Sequence, residues 1–464
     1  MPRSADAIFD PELIQRYDVN GPRYTSYPTA NLFTESFGAA DYRQSLAALS
    51  QRPAPLPLSL YVHVPFCATI CYYCACNKIV TANRRHADAY LERLHREIEL
   101  MGRLLPERRH VEQLHFGGGT PTYLSDAQFQ NLFAALRRHL GAVPDEAARD
   151  YSIEIDPRTV DARRIRFLTG LGINRISIGI QDFDPAVQAA VNRIQSEAET
   201  RAVIEAGRDG GVHSVSVDLI YGLPLQTPER FAATLTKTLA LQPDRIALYN
   251  YAHLPQRFKT QRQINVVDLP SAQHKLGLLQ LAVATITDAG YHYIGMDHFA
   301  RPDDSLTKAQ REGGLHRNFQ GYTTHGHCEL VGLGVSAISS VAGTYAQNAK
   351  TLEDYYRLVD SGELPVERGL RLDSEDLLRR DLIGTLMCHF QLNVAAFEQR
   401  HSICFADHFA EALARLAPLA ADGLVRIMPD RIEVTARGRF LIRNVCMAFD
   451  AYLGETTQGF SKAI

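Results

Sequence analysis

Tryptophan is missing from the 464 residues, which excludes any recognition motif that ends in that side chain. Charge of one sign is missing too: 49 Lys and Arg stand against 52 Asp and Glu, a formal net charge of −3. No dominant basic surface therefore points to nucleic acid, and bulk charge names no partner. No run reaches the roughly 18 apolar residues of a membrane-spanning helix. The opening "MPRSADAIFDPELIQRYDVN" carries acidic residues and no apolar stretch of secretory-leader length, so the expectation is a cytoplasmic chain that does not engage a membrane. Solenoid repeats, low-complexity segments and Ser/His/Asp or paired-carboxylate motifs are also absent. Eight cysteines in a reducing compartment are not expected to form a disulfide framework.

What is present is ordinary globular material, 45% hydrophobic and 22% charged, long enough for two or three domains or one barrel with additions. Arg is used far more than Lys, which suits a site gripping several carboxylates and equally suits a codon-biased genome. The first part, to about residue 56, is turn-rich and ends in "QRPAPLPL", an extension and linker. A strand-helix rhythm then begins: "LSLYVHV", a helix over Ala87 to Leu104, "VEQLHF", a helix over Asp126 to Leu140, "YSIEI", a short helix from Asp161, "INRISIGI", a helix near Glu197 to Asp209, "HSVSVDLI", a helix from Pro228 and "DRIALYNY". This alternation predicts parallel strands joined by right-handed crossovers, with active-site residues just after the strands. Past Pro270 a helix, a strand-like "YHYIGMDHF" and the Gly-rich "GLGVSAIS" extend the core. After about Gly369 helices follow one another, and "LVRIMPDRIEVT" reads as a hairpin about Pro429-Asp430, a winged-helix-like shape used for packing. The expected fold is α/β, a partial (β/α)6 TIM-like barrel (57–368) with an N-terminal extension (1–56) and a mainly helical C-terminal domain with a small hairpin (369–464).

Four of the cysteines fall within ten residues of "YVHVPFCATICYYCACNK", directly after the first predicted strand. Cys67, Cys71 and Cys74 in CxxxCxxC can wrap one face of an iron-sulfur cube and leave one iron without a protein ligand. Cys76 could be a fourth ligand, but one intervening residue makes ligation of the same cube sterically awkward. Structural zinc takes paired CxxC ligands across a longer loop, which is not the spacing here. Cys328, Cys388, Cys404 and Cys446 read as small buried hydrophobes. "HFGGGTP" after the second strand lets backbone N–H groups approach an anion. Glu154, Gln181, Arg193 and Asp218 lie at or just beyond the ends of later strands, where a bound ligand needs polar partners. Singly, each is more often a structural hydrogen-bonding residue. His325, His327 and Cys328 in "THGHCE" lie close enough to suggest a metal but read as a surface or loop cluster, whereas His63 and His298 are either site or core histidines.

The CxxxCxxC loop with Tyr73 before its last cysteine resembles the signature of the radical S-adenosylmethionine superfamily. That resemblance implies a [4Fe-4S] cluster on Cys67, Cys71 and Cys74 whose open iron chelates S-adenosylmethionine, an electron from the cluster yielding a 5′-deoxyadenosyl radical. Over nearly the entire chain, "GPRYTSYPTA", "GIQDFDPAVQAAVNRIQ", "DLIYGLPLQTPE", "IGMDHFARPDD" and "LHRNFQGYTT" are similar to the oxygen-independent coproporphyrinogen III dehydrogenases of haem biosynthesis. The family implies two cofactor molecules, one beside Tyr61, Tyr73, Gly118, Glu154 and Ile338, the other beside Gly119, Thr120, Gln181, Arg193, Asp218 and Ala252. It implies decarboxylation of two propionates of coproporphyrinogen III to vinyl groups, with a small reducing protein such as flavodoxin or ferredoxin, an unknown terminal electron acceptor and a monomeric enzyme. No catalytic residue is assigned beyond the cofactor site, Cys76 and Gln320 being candidates. Arg23 and Tyr24 would cover the substrate opening and Phe319 would line the cavity with Gln320. Arg301, Arg311 and Arg317 are possible carboxylate anchors. A haem-binding chaperone of the same superfamily is the alternative; such relatives lack the fourth cysteine and carry a motif ending in Tyr-Trp, whereas this chain has Cys76 and no tryptophan.

Overall fold

The computed structural model of the protein describes residues 9–52, 56–143 and 149–453. Strand β1 (Leu56–Val64) leads into helix α1 (Arg85–Leu104), β2 (Arg109–Gly118), α2 (Asp126–Leu140), β3 (Asp150–Ile155) and α3 (Ala162–Gly170). The same alternation continues through β4 (Arg175–Gln181), α4 (Glu197–Asp209), β5 (Ser214–Tyr221), α5 (Pro228–Ala240), β6 (Arg245–Asn250) and α6 (Ala272–Asp288). The six strands pair in parallel in sequence order, as the rhythm predicts. Local signals agree with the helices: Ser125 with Gln128 and Ser196 with Glu199 form capping boxes at the starts of α2 and α4. Buried Ala87, Tyr90, Leu91, Leu94, Ile98 and Met101 give α1 its apolar stripe.

The sheet does not close on itself among the described residues. On its β1 side it continues through Glu329–Leu333, parallel to β1, and three antiparallel strands, while on its β6 side a hairpin is added, giving twelve strands in all. Two expected stretches divide here. "YHYIGMDHF" is a hairpin of His292–Gly295 and His298–Ala300, because Met296 and Asp297 take positive φ and turn the chain. "GLGVSAIS" likewise breaks between Glu329–Leu333 and Ile338–Val341, where Gly334 and Ser336 have positive φ.

The alternation along the strands is inverted relative to a filled barrel. In β4, Ile176, Ile178 and Ile180 are buried while Arg175, Ser177, Gly179 and Gln181 are half-buried. Ser152 and Glu154 of β3 and Ser216 and Asp218 of β5 follow the same pattern. The apolar set packs outward on the helices and the polar and charged set, which keeps partial solvent access, faces the barrel interior in place of branched side chains.

Helix Ser374–His389 and the helices after it pack beside the sheet, and Val425–Ile427 and Arg431–Val434 form the antiparallel hairpin about Pro429-Asp430. These segments share one core with the barrel: Tyr293 stacks on Phe440 at 4.3 Å and on Phe390 at 6.3 Å. The N-terminal segment joins them. Arg23 pairs with Asp297 at 2.8 Å, the Tyr24 hydroxyl donates to Asp450 at 2.9 Å, and Arg443 Nε donates to Pro22 O at 2.8 Å.

Candidate functional site

The cysteine loop leaves the end of β1 and is clamped at its two ends, where Phe66–Cys67 pairs in parallel with Ile79–Val80. Between these clamps Cys67 is buried, Cys71 and Cys74 are half-buried and Cys76 is exposed, all as free thiols. Neighbouring strand-end loops hold the excursion in place. Tyr72 N donates to Val191 O at 3.0 Å, Asn192 Nδ2 to Ile70 O at 2.7 Å, and Lys78 Nζ and Thr260 Oγ1 to Cys74 O at 3.0 and 3.1 Å. Gln261 Nε2 spans Tyr73 O (3.1 Å) and Ala252 O (3.2 Å). The Tyr72 and Tyr73 rings rest on Val187, Val191, Ile220, Leu223, Tyr251 and Ile264.

Cationic donors surround the thiols. Arg158 and Arg193 reach Cys71 Sγ at 3.7 and 3.6 Å and share Asp156 at 2.6 and 3.2 Å, while Thr120 Oγ1 donates to Cys67 Sγ at 3.5 Å. Burial pushes the Cys67 thiol up to about 11. A hydrogen bond between the two thiols draws Cys74 below its ordinary value and pushes Cys76 well above it. The donor set also distinguishes a cube from a single ion. Among the described residues the only three metal-ligating atoms all within 4.8 Å of one another belong to Glu112, His327 and Cys328, so at least one pair among the Cys67, Cys71 and Cys74 sulfurs is farther apart than that. That spacing suits ligands to separate corners of a cluster.

Beside the loop, the strand ends form a polar ring. Gly118 N donates to Glu154 Oε2 at 3.2 Å, His115 Nε2 lies 3.3 Å from Glu154 Oε1, and Tyr61 stacks on His115 at 5.8 Å. The triple glycine is required by space: a Cβ on Gly118, whose φ is +119°, would stand 2.8 Å from the His63 ring, and one on Gly119 would stand 2.7 Å from Pro65 O. Gln181 has φ +67°. Its Oε1, Arg193 Nε and Asn250 Oδ1 are buried without a hydrogen-bond partner, the condition of groups that await a ligand. Burial, with the Glu154 charge, raises Asp218 to about 7.

The structure therefore gathers Tyr61, Tyr73, Gly118, Gly119, Thr120, Glu154, Gln181, Arg193, Asp218 and the Ala252 carbonyl around the loop. Ile338 stands two strands out from β1, where its carbonyl lies 2.6 Å from a Cβ built on Gly332, the residue paired with Tyr61, and its side chain packs against the cluster of Phe33, Tyr345 and Leu372. His63 is a bracing residue between the Tyr61 hydroxyl and Asn77 O. Burial and the Arg317 charge push His298 down to about 4. Arg301 pairs with Asp303 and Arg311 lies 3.2 Å from His292, neither in this ring. Arg317 differs: its Nε and Nη1 and the Gln320 Nε2 are buried without partners, on or beside the hairpin of His316–Asn318 and Gly321–Thr323. Sequence reasoning missed Arg158, Asp156, Thr260 and Gln261. Arg158 and Asp156 lay in view in "SIEIDPR", but the 260–261 segment carries no motif and is placed only by the fold.

A thiol loop of this spacing at the strand ends of a parallel α/β barrel defines a radical S-adenosylmethionine enzyme, one that carries a [4Fe-4S] cluster and S-adenosylmethionine; residues 61–237 match the model of the Radical SAM superfamily and residues 372–441 that of the HemN C-terminal domain. Oxygen-independent coproporphyrinogen III oxidases of Pseudomonas aeruginosa and Escherichia coli K12 are 52% and 51% identical to the chain, covering 98% of it and 99% and 98% of their own lengths. A solved structure of coproporphyrinogen III oxidase (HemN) from Escherichia coli, described as a radical SAM enzyme, superposes with a TM-score of 0.90 at 50% identity over 96% of this chain and 99% of that one. The chain belongs to the oxygen-independent coproporphyrinogen III oxidase family. Among the described residues no helix is long and apolar enough to cross a membrane.

Proposed function

We propose that the chain converts coproporphyrinogen III to protoporphyrinogen IX, turning two propionates into vinyl groups. Each conversion removes one hydrogen atom from the propionate β-carbon, carbon dioxide and one electron. The observation that carries this reading is the clamped thiol loop at the rim of a barrel interior lined with polar and charged residues. When bound, the cluster and the sulfonium cofactor supply the hydrogen-abstracting radical chemistry. Cys67, Cys71 and Cys74 are the ligands, and Cys76 stays outside them.

The remaining demands fall on the protein. Two S-adenosylmethionine molecules are held, one by Tyr61, Tyr73, Gly118, Glu154 and Ile338, the other by Gly119, Thr120, Gln181, Arg193, Asp218 and Ala252. The unpartnered Gln181 Oε1 and Arg193 Nε supply an acceptor and a donor to the second. Asp218, titrating near 7, offers both a donor and an acceptor near neutral pH. Arg317 and Gln320 present unpaired donors to substrate carboxylates, and Arg23 and Tyr24 cover the opening while Phe319 lines it. We assign 1–56 to the covering extension, 57–368 to the catalytic domain and 369–464 to a helical domain that closes it. The reading includes a flavodoxin- or ferredoxin-like reductant, a separate terminal electron acceptor, a monomer and a cytoplasmic location. Anaerobic reconstitution with coproporphyrinogen III tests it: protoporphyrinogen and methionine are the expected products, and stable haem binding without decarboxylation overturns it.

A further inference from the structure

At the opposite, strand-start end of the barrel, three donors from separate segments converge. Glu112 belongs to β2, and His327 and Cys328 to the turn that enters Glu329–Leu333. Glu112 Oε2 lies 2.8 Å from His327 Nε2 and 3.7 Å from Cys328 Sγ, and the latter two are 3.7 Å apart. Around a tetrahedral zinc with bonds of about 2.0–2.3 Å, ligand atoms stand about 3.3–3.7 Å apart, so an ion fits with small rotations of these side chains. The carboxylate is aimed by the backbone. Leu58 pairs with Val111 and Ser59 with Gln113, leaving Glu112 as the extra residue of a β-bulge, a device that redirects a side chain. Its other oxygen accepts from His110 Nε2 at 2.9 Å, the kind of outer support that fixes a metal-binding carboxylate. An imidazole, a carboxylate and a thiol form a borderline set that favours zinc over magnesium or calcium.

We propose that Glu112, His327 and Cys328 form a mononuclear zinc site with its fourth position left to water, separate from the cluster loop. Gly118 lies six positions along the extended strand from Glu112, about 20 Å away, so the ion takes no part in the radical chemistry. Its role is a clip. It ties the start of β2 to the segment that follows the hairpin His316–Thr323, and so holds Arg317 in place. Binding releases the Cys328 thiol proton to solvent and is therefore weakened by acid.

The test uses cluster-loaded full-length protein, supplied anaerobically with zinc and then desalted. Metal analysis should find one zinc beyond the cluster iron, and zinc X-ray absorption should find one sulfur neighbour with nitrogen and oxygen in the rest of the shell. The double variant His327→Ala/Cys328→Ser should lose that zinc while retaining its iron. Absence of bound zinc in the unaltered chain, three sulfurs per zinc (the ion in the cysteine loop) or full zinc retention by a folded double variant overturns the proposal. If the double variant does not fold, the sulfur count in the unaltered protein decides alone.

Discussion

Gly118 is a position where one methyl group decides the outcome. With φ at +119° and a prospective Cβ 2.8 Å from the His63 ring and 2.9 Å from Val64 O, Gly118→Ala strains the backbone by about 1–3 kcal/mol. Calorimetry should show weakened S-adenosylmethionine binding at unchanged iron content. Cys76→Ser should also keep its iron, because the Cys74–Cys76 hydrogen bond places Cys76 beside a ligand rather than in its role, yet lose product formation; iron loss as severe as in Cys74→Ser refutes this. Glu97 supports the site from behind. It is buried and accepts from Tyr355 (2.5 Å), Asn348 (2.7 Å) and Gly334 N (2.8 Å). Burial raises it from 4.5 to about 7, so the folded chain keeps a proton that the unfolded chain has already released. Its contribution to stability is full below pH 4.5 and falls as pH rises to about 7. Glu97→Gln, which turns an NH2 toward these donors, should cost about 1–3 kcal/mol at low pH. In urea titrations of the cluster-free chain, that difference should shrink toward pH 7.

At the level of elements, the strands and helices were legible because each carries its own signal: β-branched alternation, capping boxes and an apolar stripe. The hairpin His316–Thr323 carries none. "LHRNFQGYTT" marks the family but does not show that Arg317 and Gln320 end up buried without partners; packing against helix Ser374–His389, where the Tyr322 hydroxyl donates to Met387 O at 3.1 Å, decides that. Replacing Arg317 by Ala removes a charged donor worth about 1.5–3 kcal/mol. The KM for coproporphyrinogen III should therefore rise about ten- to hundredfold with cofactor affinity unchanged, and an equal loss of S-adenosylmethionine binding would show that Arg317 serves the cofactor instead. Tyr73 was placed by its neighbourhood to a cysteine, whereas Gln261, which holds its carbonyl, comes from a loop 188 positions away in sequence.

Across the whole molecule, the N-terminal segment and the C-terminal helices are joined through Arg443 to Pro22 O, Tyr24 to Asp450 and the Ala451 N–H to the Tyr27 hydroxyl. Arg443→Met should detach this strap, lowering stability by about 2 kcal/mol or more for the lost charged hydrogen bonds and raising the substrate KM. Thermal unfolding and steady-state kinetics on the same preparation check both, and a change in iron content alone would contradict it. The chain by itself determined the parallel strand order, the thiol loop and the residues at the strand ends, because strand-helix periodicity and short spacings are local and survive without coordinates. Only tertiary structure decided that polar groups line the barrel interior, that Cys76 lies within hydrogen-bonding reach of Cys74, that Arg158 and Arg193 meet at Cys71, and that Glu112 joins His327 and Cys328 across 215 and 216 positions. Those outcomes depend on which side chains become neighbours after folding, and burial and Coulomb interactions act between neighbours in space rather than along the sequence.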